Sequence, residues 1–145
     1  MQLKSAIIAG FSLVLLAGCV SSGPSPTTVD LAISGAANMN GGAPAKVKVY
    51  YLASPASFQF SDFFSLFNSA EVTLGTDLIA VDEFQLAPGR TKSSVRSVNG
   101  TPTAIGVVAA FRDIDGARFK SVKRLIPNAD NRVRVTLSGT TVSVR

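Results

Sequence analysis

Residues able to do acid–base or covalent chemistry are scarce in this chain. Its 145 residues include no histidine and a single cysteine, Cys19. Without histidine it lacks the commonest general base and the commonest neutral metal ligand. A lone thiol forms neither an internal disulfide nor a multi-cysteine metal site. Asp82 and Glu83 are adjacent carboxylates, but neighbours on a strand point to opposite faces and cannot act as a catalytic pair. One is expected to face solvent and the other to meet a lysine or arginine. Asp113-Ile114-Asp115-Gly116 opens like a calcium loop, yet no Glu follows at the bidentate position and Arg118 lies close behind. The Asp-Gly step reads as a hairpin turn, and Asn99-Gly100-Thr101, formally a glycosylation tripeptide, also reads as a turn. No Gly-rich phosphate loop, nucleophile elbow or metal-ligand spacing occurs. The residue inventory therefore argues against an enzyme and implies no cofactor and no metal.

The position of Cys19 gives it a different chemistry. Lys4 precedes an uncharged run, residues 6–17, that includes Ile7, Ile8, Phe11, Leu13, Val14, Leu15 and Leu16. The run is too short for a comfortable membrane span, which takes about 20 apolar residues, and suits the apolar region of a secretory leader. It ends in Leu16-Ala17-Gly18-Cys19, the lipobox pattern of bacterial lipoproteins. Small side chains at Ala17 and Gly18 let the chain lie extended in a processing protease, and the Cys19 thiol accepts the lipid. Residues 1–18 are thus expected to be a leader and Cys19 the mature, acylated N-terminus. Val20 rather than Asp follows it, which favours the outer membrane. Ser, Gly, Pro and Thr fill residues 21–28, so residues 19–28 read as a lipidated, flexible tether. A single domain then spans residues 29–145.

That domain reads as short strands. Val29, Leu31 and Ile33 alternate over residues 29–35, and Val47, Val49 and Tyr51 share one face of residues 46–52. Between them, residues 36–45 form a loop of Asn, Gly and Pro, long for a hairpin and holding one apolar side chain, Met39. Residues 79–86, 90–98, 103–111, 118–126, 132–137 and 140–144 read as further strands. The almost wholly apolar 103–111 should be central and buried on both faces, and the polar 90–98 an edge. Phe60, Phe63, Phe64 and Phe67 instead fall at i, i+3, i+4 and i+7. They predict one helix over residues 57–69, started at Ser57 or Ser61 and widened by Leu66. Such a stripe fits a lid over the sheet, the commoner use, or an exposed aromatic docking face. Seven or eight strands with one helical insertion predict a mainly all-β, two-sheet sandwich.

Net charge is +5, from 14 basic and 9 acidic residues. Nucleic-acid binding is not expected, because the basic residues are spread along several strands without interleaved aromatics. Arg118, Lys120, Lys123, Arg124, Arg132 and Arg134 gather on the last strands, either as a patch for an acidic partner or lipid headgroups, or as an ordinary solvated sheet face.

Taken in order, several segments resemble the TssJ family of type VI secretion outer-membrane lipoproteins. They are Val47-Lys48-Val49-Tyr50-Tyr51-Leu52-Ala53-Ser54-Pro55-Ala56-Ser57-Phe58, Asp62-Phe63-Phe64-Ser65-Leu66-Phe67, Leu78-Ile79-Ala80-Val81-Asp82-Glu83-Phe84, Pro88-Gly89, Ile105-Gly106-Val107-Val108-Ala109-Ala110-Phe111-Arg112-Asp113 and Asn131-Arg132-Val133-Arg134-Val135. The resemblance runs from about Val29 to the C-terminus. It implies a transthyretin-like sandwich without catalysis, lipid-anchored on the periplasmic face of the outer membrane. It also implies docking of the periplasmic C-terminal region of TssM, with TssL in the same complex and no small-molecule substrate. The family's partner contact includes the loop between the first two strands, which by position is Asn38, Met39, Asn40, Gly41 and Gly42 here. Phe119 stands where the family often has Trp. The competing expectation is an unrelated periplasmic lipoprotein that binds a small ligand or ion through Asp113 and Asp115, or through an apolar pocket under the Phe helix.

Overall fold

The computed structural model describes Gly18 and residues 23–145; Cys19, Leu16 and Ala17 lie outside the described residues. Eight strands build two four-stranded sheets. β1 (Thr27–Gly35) lies between β4 (Thr91–Val98) and β7 (Asp130–Ser138), and β7 carries β8 (Thr141–Val144) on its far side. In the second sheet β2 (Ala45–Leu52) lies between β3 (Leu78–Leu86) and β5 (Ala104–Ala109), with β6 (Lys120–Arg124) outermost. The β1–β7 pair is parallel and the other pairs are antiparallel.

Alternation along the strands sets what faces inward. Val29, Leu31 and Ile33 meet Val47, Val49 and Tyr51 across the sandwich, joined by Ile105, Val107, Val133, Val135 and Leu137. β2 and β5 are interior strands whose outer faces are also covered. Tyr50, Leu52, Ala104 and Val108 pack there against Phe58, Leu66 and Leu74 of a helical layer. Covering on both sides is the physical reason for the unbroken apolar run of β5, as expected from its sequence. β4 is an edge strand, also as expected.

The helical layer departs from the expected single helix. It is three short helices, α1 (Ala56–Phe60), α2 (Phe63–Asn68) and α3 (Ala70–Leu74). Ser61 is extended, and Asp62 caps α2 by accepting the Ser65 N–H at 2.9 Å. A short acceptor side chain offers a better bond at a helix start than within a helix, so Asp62 restarts the helix instead of continuing it. Ser61 and Ser57 do not cap: Ser61 Oγ donates to Ser57 O and Ser57 Oγ donates to Asp77. With the cylinder broken, the four-Phe stripe no longer shares a face. Phe58 and Leu66 are buried, Phe63 and Phe67 are half-buried, and Phe60 and Phe64 are 91% and 63% exposed. Lys120 fastens α1 to the sheet, its ammonium donating to Phe58 O, Gln59 O and Ser61 O at 3.2, 2.7 and 2.6 Å. Burial lowers the lysine's pKa from its usual value, against the opposing pull of Asp62.

Two further expectations change at the strand ends. β1 starts at Thr27, ahead of the expected Val29. Thr27 is buried with its Oγ accepting Asn128 N–H at 2.8 Å, and Thr28 N–H donates to Ala129 O. The strand expected over 118–126 narrows to Lys120–Arg124 because Arg118 bridges to the other sheet, giving its N–H to Thr140 O and accepting from Val142 N–H, both at 2.9 Å. Asp82 and Glu83 do point apart, but both find cations. Asp82 pairs with Arg96 and accepts from Tyr51 Oη, tying the two sheets together at their β3–β4 side. Glu83 sits beside Lys46 and Lys48.

Tyr50 and Tyr51 are expected to make the sandwich sensitive to alkali. Burial raises both phenols well above their usual pKa, with Glu83 adding to Tyr50 and Asp82 to Tyr51. Below about pH 10 the phenols are protonated in the folded and unfolded states alike; above it only the unfolded chain releases their protons. Stability is therefore fully present below about pH 10 and falls as pH rises past it. Urea midpoints at pH 8.5, 10 and 11 check this, and Tyr51→Phe should flatten the alkaline fall; an unchanged slope counts against it.

Candidate functional site

Strand direction gives the sandwich two distinct ends. β1 runs nine residues from Thr27 to Gly35, about 27 Å at 3.3–3.4 Å per residue. The N-terminal segment enters at one end. At the other, the loops after β1, β3, β5 and β7 come together.

Gly35 starts that loop cluster. Its N–H donates to Arg90 O and its carbonyl accepts from Gly89 N–H, both at 2.9 Å. A side chain at position 35 would collide with the Met39 sulfur, so Met39 folds back across this glycine into the core and is fully buried. Asn40 follows with φ 50°, Gly41 with φ 61° and Gly42 with φ 83°. Left-handed backbone is cheapest for glycine and tolerated by asparagine, which accounts for the Asn-Gly-Gly sequence.

Asn40 is 4% exposed and ties three loops together. Its N–H donates to Gly139 O at 2.7 Å, its Nδ2 donates to Pro44 O at 2.9 Å, and its Oδ1 accepts Arg112 N–H at 2.8 Å. Asn38 Oδ1 makes weaker contacts with Ser138 Oγ and Gly139 N, each 3.4 Å. Of the five expected contact residues, Met39 and Asn40 therefore face inward. The loop offers Ala37, Asn38, Gly41, Gly42 and Pro44 to solvent. Its unusual length and its apolar residue have an internal cause, the refolding of Met39 and Asn40 into the sandwich. Arg112 and Gly139, absent from the expected set, join it through Asn40. The Asn at the head of Asn-Gly-Gly was the available sequence signal.

The remaining candidates sit elsewhere. Asp113 and Asp115 are exposed on the 110–119 connection, and among the described residues no three His, Cys, Asp or Glu side chains gather in a metal-binding group. The space under the helices is filled by Phe58, Leu66 and Leu74. The basic residues of the last strands are partly engaged inside the fold. Besides Lys120, Lys123 Nζ donates to Arg132 O at 2.9 Å, and Arg134 donates to Asp30 O and Oδ2 at 2.9 and 3.2 Å. Arg118 and Arg124 stay exposed.

Comparison with known proteins places this two-sheet sandwich in a family. The family model T6SS-SciN, type VI secretion lipoprotein (VasD, EvfM, TssJ), matches residues 27–140. The chain belongs to the TssJ family of type VI secretion lipoproteins. The solved TssJ1 lipoprotein of Pseudomonas aeruginosa is 30% identical, with a TM-score of 0.78, over 83% of this chain and 95% of that one. Serratia marcescens Lip, a membrane-bound component of its type VI secretion system, is 26% identical with a TM-score of 0.75 over 83% of this chain and 96% of that one. A chain in a solved type VI membrane complex is 25% identical with a TM-score of 0.69, over 81% of this chain and 97% of that one. Among curated proteins none matches. In this TssJ-family chain, the loop cluster around Asn40 lies at the end of the sandwich opposite the N-terminal entry.

Proposed function

We propose that this chain is a structural lipoprotein of the type VI secretion membrane complex. Lipid on Cys19 holds it to the periplasmic face of the outer membrane, and the loops at the far end dock the periplasmic C-terminal region of TssM. The observation that carries the reading is the polarity of β1: it separates the tether entry from the Asn40 loop cluster by about 27 Å. Anchoring at one end leaves the other facing away from the lipid, toward a partner rising from the inner membrane. Membership of a lipoprotein family and likeness to a chain in a type VI membrane complex support it. Asn40 contributes by holding the loops rigid before contact, which lowers the ordering cost of binding.

Calorimetry with the TssM C-terminal domain tests the assignment. Ala37→Arg and Pro44→Arg alter exposed side chains, and the Pro44 carbonyl that Asn40 uses is kept because it is backbone. Either is expected to weaken binding by about tenfold or more, roughly 1.4 kcal/mol, with the melting temperature held. Unchanged affinity in both would remove the loop from the interface, and no binding by the unsubstituted protein would remove TssM as the partner.

A further inference from the structure

We infer that the end of the domain beside the tether seats directly on the phospholipid surface, through Ile126 and the cations around it. This rests on the anchoring at Cys19 proposed above. Residues 24–26 run along a groove shared with Val98, Asn99, Gly100 and Asn128, and Asn128 Nδ2 donates to Ser25 O at 2.7 Å. The chain is thus held to the fold almost as far out as Gly23. Only four peptide steps separate Gly23 from Cys19, a reach of about 14 Å even when fully extended. An acyl anchor at Cys19 therefore brings this end of the sandwich within touching distance of the headgroups.

The surface presented there has the matching chemistry. Ile126 is 68% exposed on the turn between β6 and β7, next to buried Leu125, and Pro127 beside it is exposed too. Asn131 fixes that turn, its Oδ1 accepting Ile126 N–H at 2.8 Å and its Nδ2 donating to Ile126 O at 2.9 Å. The isoleucine is held outward on a fixed turn. Arg124 and Arg132 flank it, the Arg132 side chain 78% exposed with its Nε 3.9 Å from Asp30 Oδ2, and the Lys123 ammonium donates to Arg132 O. Asp130 is the exposed carboxylate on the same turn, and Asp77, at the same end, is engaged by Ser57. Cations beside an apolar tip suit phosphate groups above an acyl boundary.

The acylated full-length protein, reconstituted in vesicles of phosphatidylethanolamine and phosphatidylglycerol, provides the test. With Cys19 acylated, Ile126→Cys carries the single free thiol and takes an environment-sensitive fluorophore; Asp115→Cys reports the opposite end. Nitroxide-bearing lipids are expected to quench the label at 126 about threefold or more over the label at 115, as for side chains at the headgroup boundary. Arg124→Glu with Arg132→Glu should reduce that ratio. Equal quenching at both positions, in protein that floats with the vesicles, overturns the lipid seat and leaves the anchor standing. Protein that fails to float and keeps a titratable Cys19 removes the anchor and the seat together.

Discussion

Phe58→Ala is expected to lower the unfolding free energy by about 3–5 kcal/mol, as for a fully buried aromatic whose site collapses poorly. Phe58 is completely buried in the layer between α1 and the β2–β5 face. Its ring lies 5.4 Å from that of Tyr50, and the tip of the ring fills the space where a side chain on Gly106 would stand. β5 cannot move to close the gap, because it is hydrogen-bonded on both sides to β2 and β6. The same contact predicts the reverse substitution. Gly106→Ala drives a methyl into the Phe58 ring and should cost about 1–3 kcal/mol by overpacking. Phe58→Leu combined with Gly106→Ala should cost less than the two singles together, since each relieves the other. Urea denaturation of the four proteins of this cycle measures the coupling. Strict additivity, or a Phe58→Ala cost under about 1 kcal/mol, would show that the helical layer is held by something other than this knob and its glycine socket.

Asn40→Ala should cost about 2–4 kcal/mol, as two partners lose their bonds and alanine is forced to positive φ. The partners are Arg112 N–H and Pro44 O; the bond from Asn40 N–H to Gly139 O survives because it is backbone. Asn40→Gly separates the causes. Glycine accepts φ 50° without the steric penalty but loses the same two side-chain bonds, so it should recover about 1 kcal/mol relative to alanine. Amide exchange gives a local readout, with the Arg112 amide exchanging faster in both variants. Unchanged protection at Arg112 would contradict the staple. Under the proposed function both variants also bind the TssM domain more weakly, because the loops must then be ordered at the moment of contact.

The sequence carried the strands well and the helical layer poorly, for a definable reason. Period-two alternation reports which face of a strand is apolar, and in 29–35, 46–52 and 132–137 that face is the one turned to the core. The Phe stripe was a true helical signal, but periodicity over residues 57–69 is blind to a cap in its middle. A local hydrogen bond at Asp62 and the pull of Lys120 on the last carbonyls of α1 outweighed it. The loop between β1 and β2 was legible as long and odd, while its direction was not. Met39 is apolar in any reading; only the bare backbone of Gly35 beneath it makes room for it to fold inward.

What the sequence determined by itself was therefore the pattern of faces and turns. That pattern comprised alternating strands and a central strand buried on both sides. These follow from local spacing and residue chemistry. Tertiary structure decided what spacing cannot encode: which loops meet, that Asn40 joins residues 72 and 99 positions away, that half of an aromatic stripe stays in water, and that residues 23–26 and the loop cluster lie at opposite ends. Each of these depends on pairing across the chain, where hydrogen bonds and packing between distant segments outweigh the preference of any one of them.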